Sequence, residues 1–396
     1  MSHSRSAKVL DFKSRTHTTG IAPGLEDAYS ALMSGDMVAL RRGLGLAAEN
    51  GVASAQHSLA VMCLDGKGGP KDEKRAVELF RLAAKKGYVE SQLALFSLLL
   101  AGIGVATDHV EALYWIRKAA GQGDADAQFH LGMMCANGLG ARQDDVGAVW
   151  CFRLAAKQGH QDAQCELGRM YEYGQGVDQD EAEAIRWYRL AAMQGAAEGQ
   201  FALANMLHEG KGVTKSEAEA MDWCRAAAKQ GHLGAQSNLG YAYAHGCGVR
   251  RSMKDAKRWY LKAAEAGYAP SQYALGVLHC YGPGKPNYPE SVRWYRRAAE
   301  QGHAGAQNHL GIMYEEGRGV EIDLVAAYMW YSLASHGGDM EGASIRASLA
   351  KTMSREQIVE AEQRARAFRL QTEASGSDEE MFETGRMTDS PVLTLQ

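Results

Sequence analysis

A Gln-containing segment returns along the chain at a fixed interval, and this periodicity constrains the fold more than any other feature. Ala/Ser/Gly-Gln pairs begin at Ala55, Ser91, Ala127, Ala163, Gly199, Ala235, Ser271 and Ala306, six steps of 36 residues and a last one of 35. Each start is followed by a leucine on the same spacing, from Leu59 and Leu95 through to Leu310. A repeat of this length marks stacked supersecondary units, because one short unit cannot bury its own apolar face.

Each unit reads as two helices. In the first half, Ala163, Leu167, Gly168 and Tyr171 fall on one helical face. A Gly-x-Gly pair then follows, as in Gly174/Gly176 and Gly210/Gly212, where a left-handed residue closes a helix. The second half carries small residues around one large ring: Ala184, Trp187, Ala191 and Ala192. Trp115, Trp223, Trp259, Trp294 and Trp330 take the same slot elsewhere, with Leu79 and Cys151 in the other two units. A further glycine, such as Gly195 or Gly231, ends this helix. The fold class expected is all-α, a right-handed α-solenoid of antiparallel helix pairs, eight repeats with capping helices.

The domain boundaries follow from where the pattern begins and fades. Residues 1–22 are expected to be a disordered basic segment, and 23–54 a degenerate capping repeat in which Leu44, Ala47, Ala48 and Gly51 echo a second helix. Residues 55–342 hold the eight repeats. Residues 343–370 read as C-terminal capping helices, the last opening at Ser354 with Gln357 three residues on, a capping-box pattern. In 371–396 six acids face one base, Arg386, and this is expected to be a disordered acidic tail. Repeat seven is one residue short and holds Pro283, Pro286 and Pro289, so its second helix is expected to start late, near Pro289.

The string Ala163–Gly195, AQCELGRMYEYGQGVDQDEAEAIRWYRLAAMQG, resembles a unit of the Sel-one-like repeat family, relatives of the tetratricopeptide repeat. The resemblance covers Ala55 to about Gly338. It implies an adaptor or scaffold that holds other proteins, in a regulatory or signalling complex. Secreted members with one cysteine pair per repeat are not matched by the seven irregularly spaced cysteines here.

Other function classes find little support. The formal net charge is −4, without the basic footprint an RNA-binding helical repeat would want, although that remains the alternative reading. The N-terminal stretch lacks the apolar core of a secretory signal, and the chain is expected to be cytoplasmic and monomeric, with no membrane insertion. No Walker loop, HExxH or paired CxxC occurs, so no metal, cofactor or catalytic residue is expected. A hydrolase of the penicillin-binding type, a further alternative, would need Lys-Thr-Gly, and Lys351-Thr352-Met353 does not supply it. His160, His232 and His303 follow the terminal glycine of their units where Tyr88 and Tyr268 stand in others, which points to packing at that turn.

Function is then expected at positions that vary from unit to unit. In tetratricopeptide-like arrays the first helix lines the concave groove, and the places beside its Ala/Leu/Tyr stripe are Leu93, Phe129, Met133, Arg169, Glu172, Phe201, Asn205, His208, Tyr241 and Tyr273. Exposed rings among polar groups suit a protein or peptide partner. Asn205 resembles part of a carboxylate clamp, but Phe201 stands where the partner lysine would be, so a C-terminal carboxylate ligand is not expected.

Overall fold

Helix boundaries follow from glycines that stop helices and short polar residues that start them. The computed structural model describes residues 23–379, and within that span every regular element is helical. The N-terminal segment 1–22 and the tail from residue 380 lie outside the described residues, so the disorder expected of them is not addressed.

The chain divides into two compact units, one ending at Asp180 and one beginning at Glu181. The first opens with a short pair, α1 (Leu25–Ser34) and α2 (Met37–Glu49), which buries Leu40, Leu44, Ala47 and Ala48. Three complete hairpins follow: α3 (Ala53–Asp65) with α4 (Glu73–Lys85), α5 (Val89–Ala101) with α6 (His109–Ala120), and α7 (Ala125–Asn137) with α8 (Asp145–Lys157). The unit closes on α9 (Gln161–Tyr173). The second unit begins with α10 (Glu181–Met193). It continues through α11 (Ala197–Glu209) with α12 (Glu217–Lys229), and α13 (Leu233–His245) with α14 (Met253–Glu265). Next come α15 (Ala269–Tyr281) with α16 (Tyr288–Glu300), and α17 (Ala304–Glu316) with α18 (Leu324–His336). The last two are α19 (Met340–Leu349) and α20 (Arg355–Glu379). Within each unit a helix packs on its neighbours in sequence, which is the solenoid arrangement.

Repeat five shows why the sequence folds this way. Gly210 ends α11 at φ 76°, a conformation in which a Cβ is strained. Gly212 (φ 64°) lies so close to the start of α10 that an added Cβ would sit 2.5 Å from the Glu181 carbonyl carbon. The chain then turns back, the Ser216 amide donates to the Leu207 carbonyl (3.0 Å), and the Ser216 hydroxyl caps α12 by accepting from the Glu219 amide. Asp72, Asp108, Asp144, Ser252, Asn287 and Asp323 cap the corresponding helices, a signal the sequence reading passed over.

The recurring glutamine has a specific task. The side-chain amide of Gln56, Gln92, Gln128, Gln164, Gln200, Gln236, Gln272 and Gln307 is buried and donates eight residues back, to a carbonyl near the end of the preceding second helix. Helix C-termini leave carbonyls without intrahelical partners, and here the next repeat supplies one. The Gln oxygen is used as well. Gln122 donates to Gln92, Gln158 to Gln128, Gln230 to Gln200 and Gln301 to Gln272. With Lys86 in that donor's place in repeat one and Ala266 in repeat six, two of the three repeats that lack it, the oxygens of Gln56 and Gln236 are buried without a partner.

Within each unit the core sits between the two helices of each complete hairpin. Trp115, Trp259, Trp294 and Trp330 are buried, whereas Trp187 and Trp223 are half-buried. The deepest rings belong to the next residue along: Phe80, Phe152, Tyr188, Tyr295 and Tyr331 are almost fully enclosed. Several lie on a first-helix glycine, and a Cβ on Gly132, Gly240, Gly276 or Gly311 would come within 2.5–2.6 Å of Phe152, Tyr260, Tyr295 or Tyr331.

Two expectations from sequence need adjustment. In repeat seven, α16 starts beside Pro289 as expected, but not late: Asn287 is its cap, Tyr288 its first residue, and Pro289 lies inside the first turn, where a missing amide hydrogen costs nothing. The residue that repeat seven lacks comes out of the turn, residues 282–287, and Gly282 there is extended (φ −68°, ψ 174°) where its counterparts are left-handed. At the C-terminus, the boundary drawn at 370 falls inside a helix, because α20 runs to Glu379. Its start has the expected capping box, with the Ser354 amide donating to Gln357 (2.9 Å) and the Gln357 amide to the Ser354 hydroxyl (3.2 Å). Ala361 and Ala365 are buried, and Phe368 meets Trp330 edge-on, so α20 covers the end of repeat eight.

Candidate partner-binding surface

The ten variable first-helix residues are all half-buried, not exposed. The reason is a contact between successive repeats. Phe129 stacks on His160 (centroids 4.7 Å), Phe201 lies over His232 (4.3 Å) and Tyr273 stacks on His303 (4.6 Å). Each of these histidines caps the following helix, its Nδ1 accepting from the amide of Ala163, Ala235 or Ala306. The opposite ring nitrogen of His232 donates to Glu198 (2.9 Å), and that of His160 faces Asp126 at 3.4 Å. A neutral imidazole with its proton on Nε2 meets both demands. Packing at the turn is therefore joined by capping, which the His/Tyr alternation did not reveal.

The other candidates divide by unit. In the first, Leu93 packs against the core, and Met133 is half-buried on α7. Arg169 is held at home: Nε and Nη2 both donate to Glu166 (3.0 Å each), and Nη1 donates to Gln175 (2.6 Å). Glu172 receives a hydrogen bond from Gln179 on its backbone carbonyl (2.9 Å).

In the second unit the structure brings three candidates to one place. Asn205, His208 and Tyr241 line a cavity of about 40 Å³ between repeats five and six, within an opening of about 460 Å³ counted out to solvent. Its floor is Ala204 and Cys224, and Met221 and Asn238 complete the wall. The amide of Asn238 meets the Asn205 oxygen at a long 3.4 Å. His208 Nδ1 lies 2.7 Å from a Glu217 oxygen. Burial works against the Glu217 charge, but the hydrogen bonds from Lys215 and His208 outweigh it and hold this carboxyl below its ordinary range. Cys224 is the opposite case. Burial pushes its thiol up to about 12, and Sγ donates to the Ala235 carbonyl (3.4 Å), so it is an inert wall and not a nucleophile.

The cavity was legible in the sequence, though unread. The position of Cys224 holds Phe80, Ile116, Phe152, Tyr188, Tyr260, Tyr295 or Tyr331 in every other unit. Repeat five alone has a small residue there, opposite Ala204.

Among the described residues, no group of three or more His, Cys, Asp or Glu is placed to hold a metal ion, and no helix is long and apolar enough to cross a membrane. Ser348 and Lys351 do have Ser-x-x-Lys spacing, but both are exposed at the end of α19, with no Lys-Thr-Gly anywhere to complete such a site.

Comparison with known proteins agrees with this architecture. The family model described as Sel1 repeat matches residues 53–88, 89–124, 125–160, 161–195, 197–232, 234–268, 269–303 and 304–339. A Sel1 repeat protein from Oxalobacter formigenes superposes with a TM-score of 0.64 at 29% identity, covering 87% of this chain and 99% of that one. A protective antigen of uropathogenic Escherichia coli with an SLR fold gives a TM-score of 0.58 at 28% identity, covering 93% and 89%. The search of curated proteins finds no match.

Proposed function

The chain belongs to the Sel1 repeat family, and we propose that it is a non-enzymatic adaptor that holds a partner protein or peptide along the variable side of its first helices. Sel1 repeat proteins generally mediate protein–protein interaction, and a stacked array of this kind offers a surface larger than any single hairpin could. The observation that carries the reading is the convergence of Asn205, His208 and Tyr241 on one apolar-floored cavity. Framework positions repeat in type because folding needs them, whereas these three differ from their counterparts in neighbouring repeats. A buried anchor with a few orienting polar groups is how a small number of residues carries most of a binding energy.

The setting we infer is a regulatory or signalling complex, with the protein acting as a cytoplasmic monomer. Phe129 in the first unit, and Phe201 and Tyr273 in the second, contribute by holding successive repeats in register. The test is the double change Asn205→Ala and Tyr241→Ala, measured against a partner isolated with the full chain. Affinity should fall about tenfold or more while the melting temperature moves little. Binding that survives this change, but is lost when residues 380–396 are removed, would assign the interaction to the acidic tail instead.

A further inference from the structure

We propose that the cavity between repeats five and six receives a tyrosine side chain from the partner; this rests on the adaptor reading and names the chemistry the adaptor recognises. The shape argument comes from the other repeats. In repeats six, seven and eight the second helix sends Tyr260, Tyr295 or Tyr331 across the hairpin, against Gly240, Gly276 or Gly311. In repeat five the corresponding residues are Cys224 and Ala204, both at the cavity floor. One methyl at Ala204 replaces little of the missing ring, so the hairpin is left with unfilled space of about 40 Å³ where the others hold a ring. Elsewhere the array fills that space from within; here it opens to solvent.

The polar end of the site fits a phenol. Tyr331 donates its hydroxyl to Glu315 (2.7 Å), and the residue at Glu315's place in repeat five is His208. His208 lines the cavity with Nδ1 on Glu217, and the Nε2 of its neutral ring is then a hydrogen-bond acceptor. An acceptor therefore stands where an internal tyrosine of this fold places its hydroxyl. At the mouth, the amides of Asn205 and Asn238 share one long contact and keep further donor and acceptor capacity for a partner's backbone. The open interior admits the leading edge of a ring. Met221, an unbranched side chain with three rotatable bonds, can swing to admit the rest.

The experiment uses the full chain, with p-cresol as the side-chain probe and toluene as its hydroxyl-free control, followed by peptides selected for binding. Cys224→Phe fills the cavity from α12; repeat one already carries Ala60 and Phe80 at the equivalent positions, both enclosed. Ala204→Leu fills it from α11, so a folding failure in one variant leaves the other. p-Cresol should perturb the NMR signals of His208 and Tyr241, bind about tenfold more tightly than toluene, and lose about tenfold or more in each filled variant that retains its helical circular dichroism. Selected peptides should be enriched in tyrosine and show the same loss. Equal binding of p-cresol to the wild type and the filled variants, or no binding to the wild type, overturns the proposal. Peptides that bind wild type and Cys224→Phe alike overturn the pocket while leaving the adaptor reading intact. If p-cresol behaves as expected but no peptide binds, the adaptor reading fails and the site is one for a free phenol.

Discussion

Repeats five and six build the same hairpin around different fillings. In repeat six, Tyr260 lies so close over Gly240 that an added Cβ would come within 2.6 Å of its ring. In repeat five, the same two places hold Cys224 and Ala204, and a cavity of about 40 Å³ remains. A different exchange separates the two at the seam with the next repeat. Gln200 has its oxygen satisfied by Gln230, whereas Gln236 faces Ala266 and goes without. Repeat five thus gives up packing and keeps its polar seam; repeat six does the reverse. A repeated fold tolerates both lapses because each repeat leans only on its neighbours, and the lapse that opens to solvent can become a site.

The largest test of this contrast is to empty repeat six. Tyr260→Ala removes a buried ring and should cost about 3–5 kcal/mol in denaturant unfolding, whereas Cys224→Ala should cost far less. Similar losses for the two would mean that repeat five is as tightly packed as repeat six. Gly240→Ala comes next. Its Cβ would press on the Tyr260 ring, an overpacking that costs about 1–3 kcal/mol, while Ala204→Gly in the roomier hairpin should lose only the helix propensity of roughly 1 kcal/mol. A neutral Gly240→Ala would show that the ring has space to move.

A smaller effect is expected from pH at the histidine caps. His232 has Glu198 against its Nε2, whereas His303 has Pro270 at the corresponding place. Burial holds His303 below its ordinary value, partly offset by its backbone hydrogen bond, with His309 adding to the depression. The folded state thus favours the neutral ring, whose Nδ1 accepts from Ala306. The stability this contributes is fully present above about 6.5 and is lost as pH falls through the lower folded value. His303→Asn caps without titrating, so the melting temperature of that variant should fall less between neutral and mildly acid pH; an unchanged pH response would discount the cap.

The smallest change runs the other way. Ala266→Gln supplies the donor that Gln236 lacks, restoring the pattern of Gln230 and Gln301, and should stabilise by about 0.5–1.5 kcal/mol. No gain in melting temperature would mean that water already satisfies the Gln236 oxygen.

The sequence by itself determined the number and class of the repeats, where helices stop, and the closing helix with its Ser354/Gln357 box. These are local or periodic properties: a left-handed glycine, a capping side chain and an apolar stripe act within a few residues, and repetition multiplies the signal. It also contained the anomaly at Cys224, because eight copies make one departure visible. What only the tertiary structure decided was which side chains face whom. Phe129, Phe201 and Tyr273 read as exposed anchors until their rings met the histidine caps of the next repeat. Arg169 read as a partner contact until Glu166 and Gln175 were found holding it. The invariant glutamines gave no hint that each one reaches back to the preceding helix end. The ring–histidine contacts and the Gln-to-Gln bonds join residues about 30 apart across a stacking interface, so their geometry depends on how one hairpin settles on another, which no local pattern encodes.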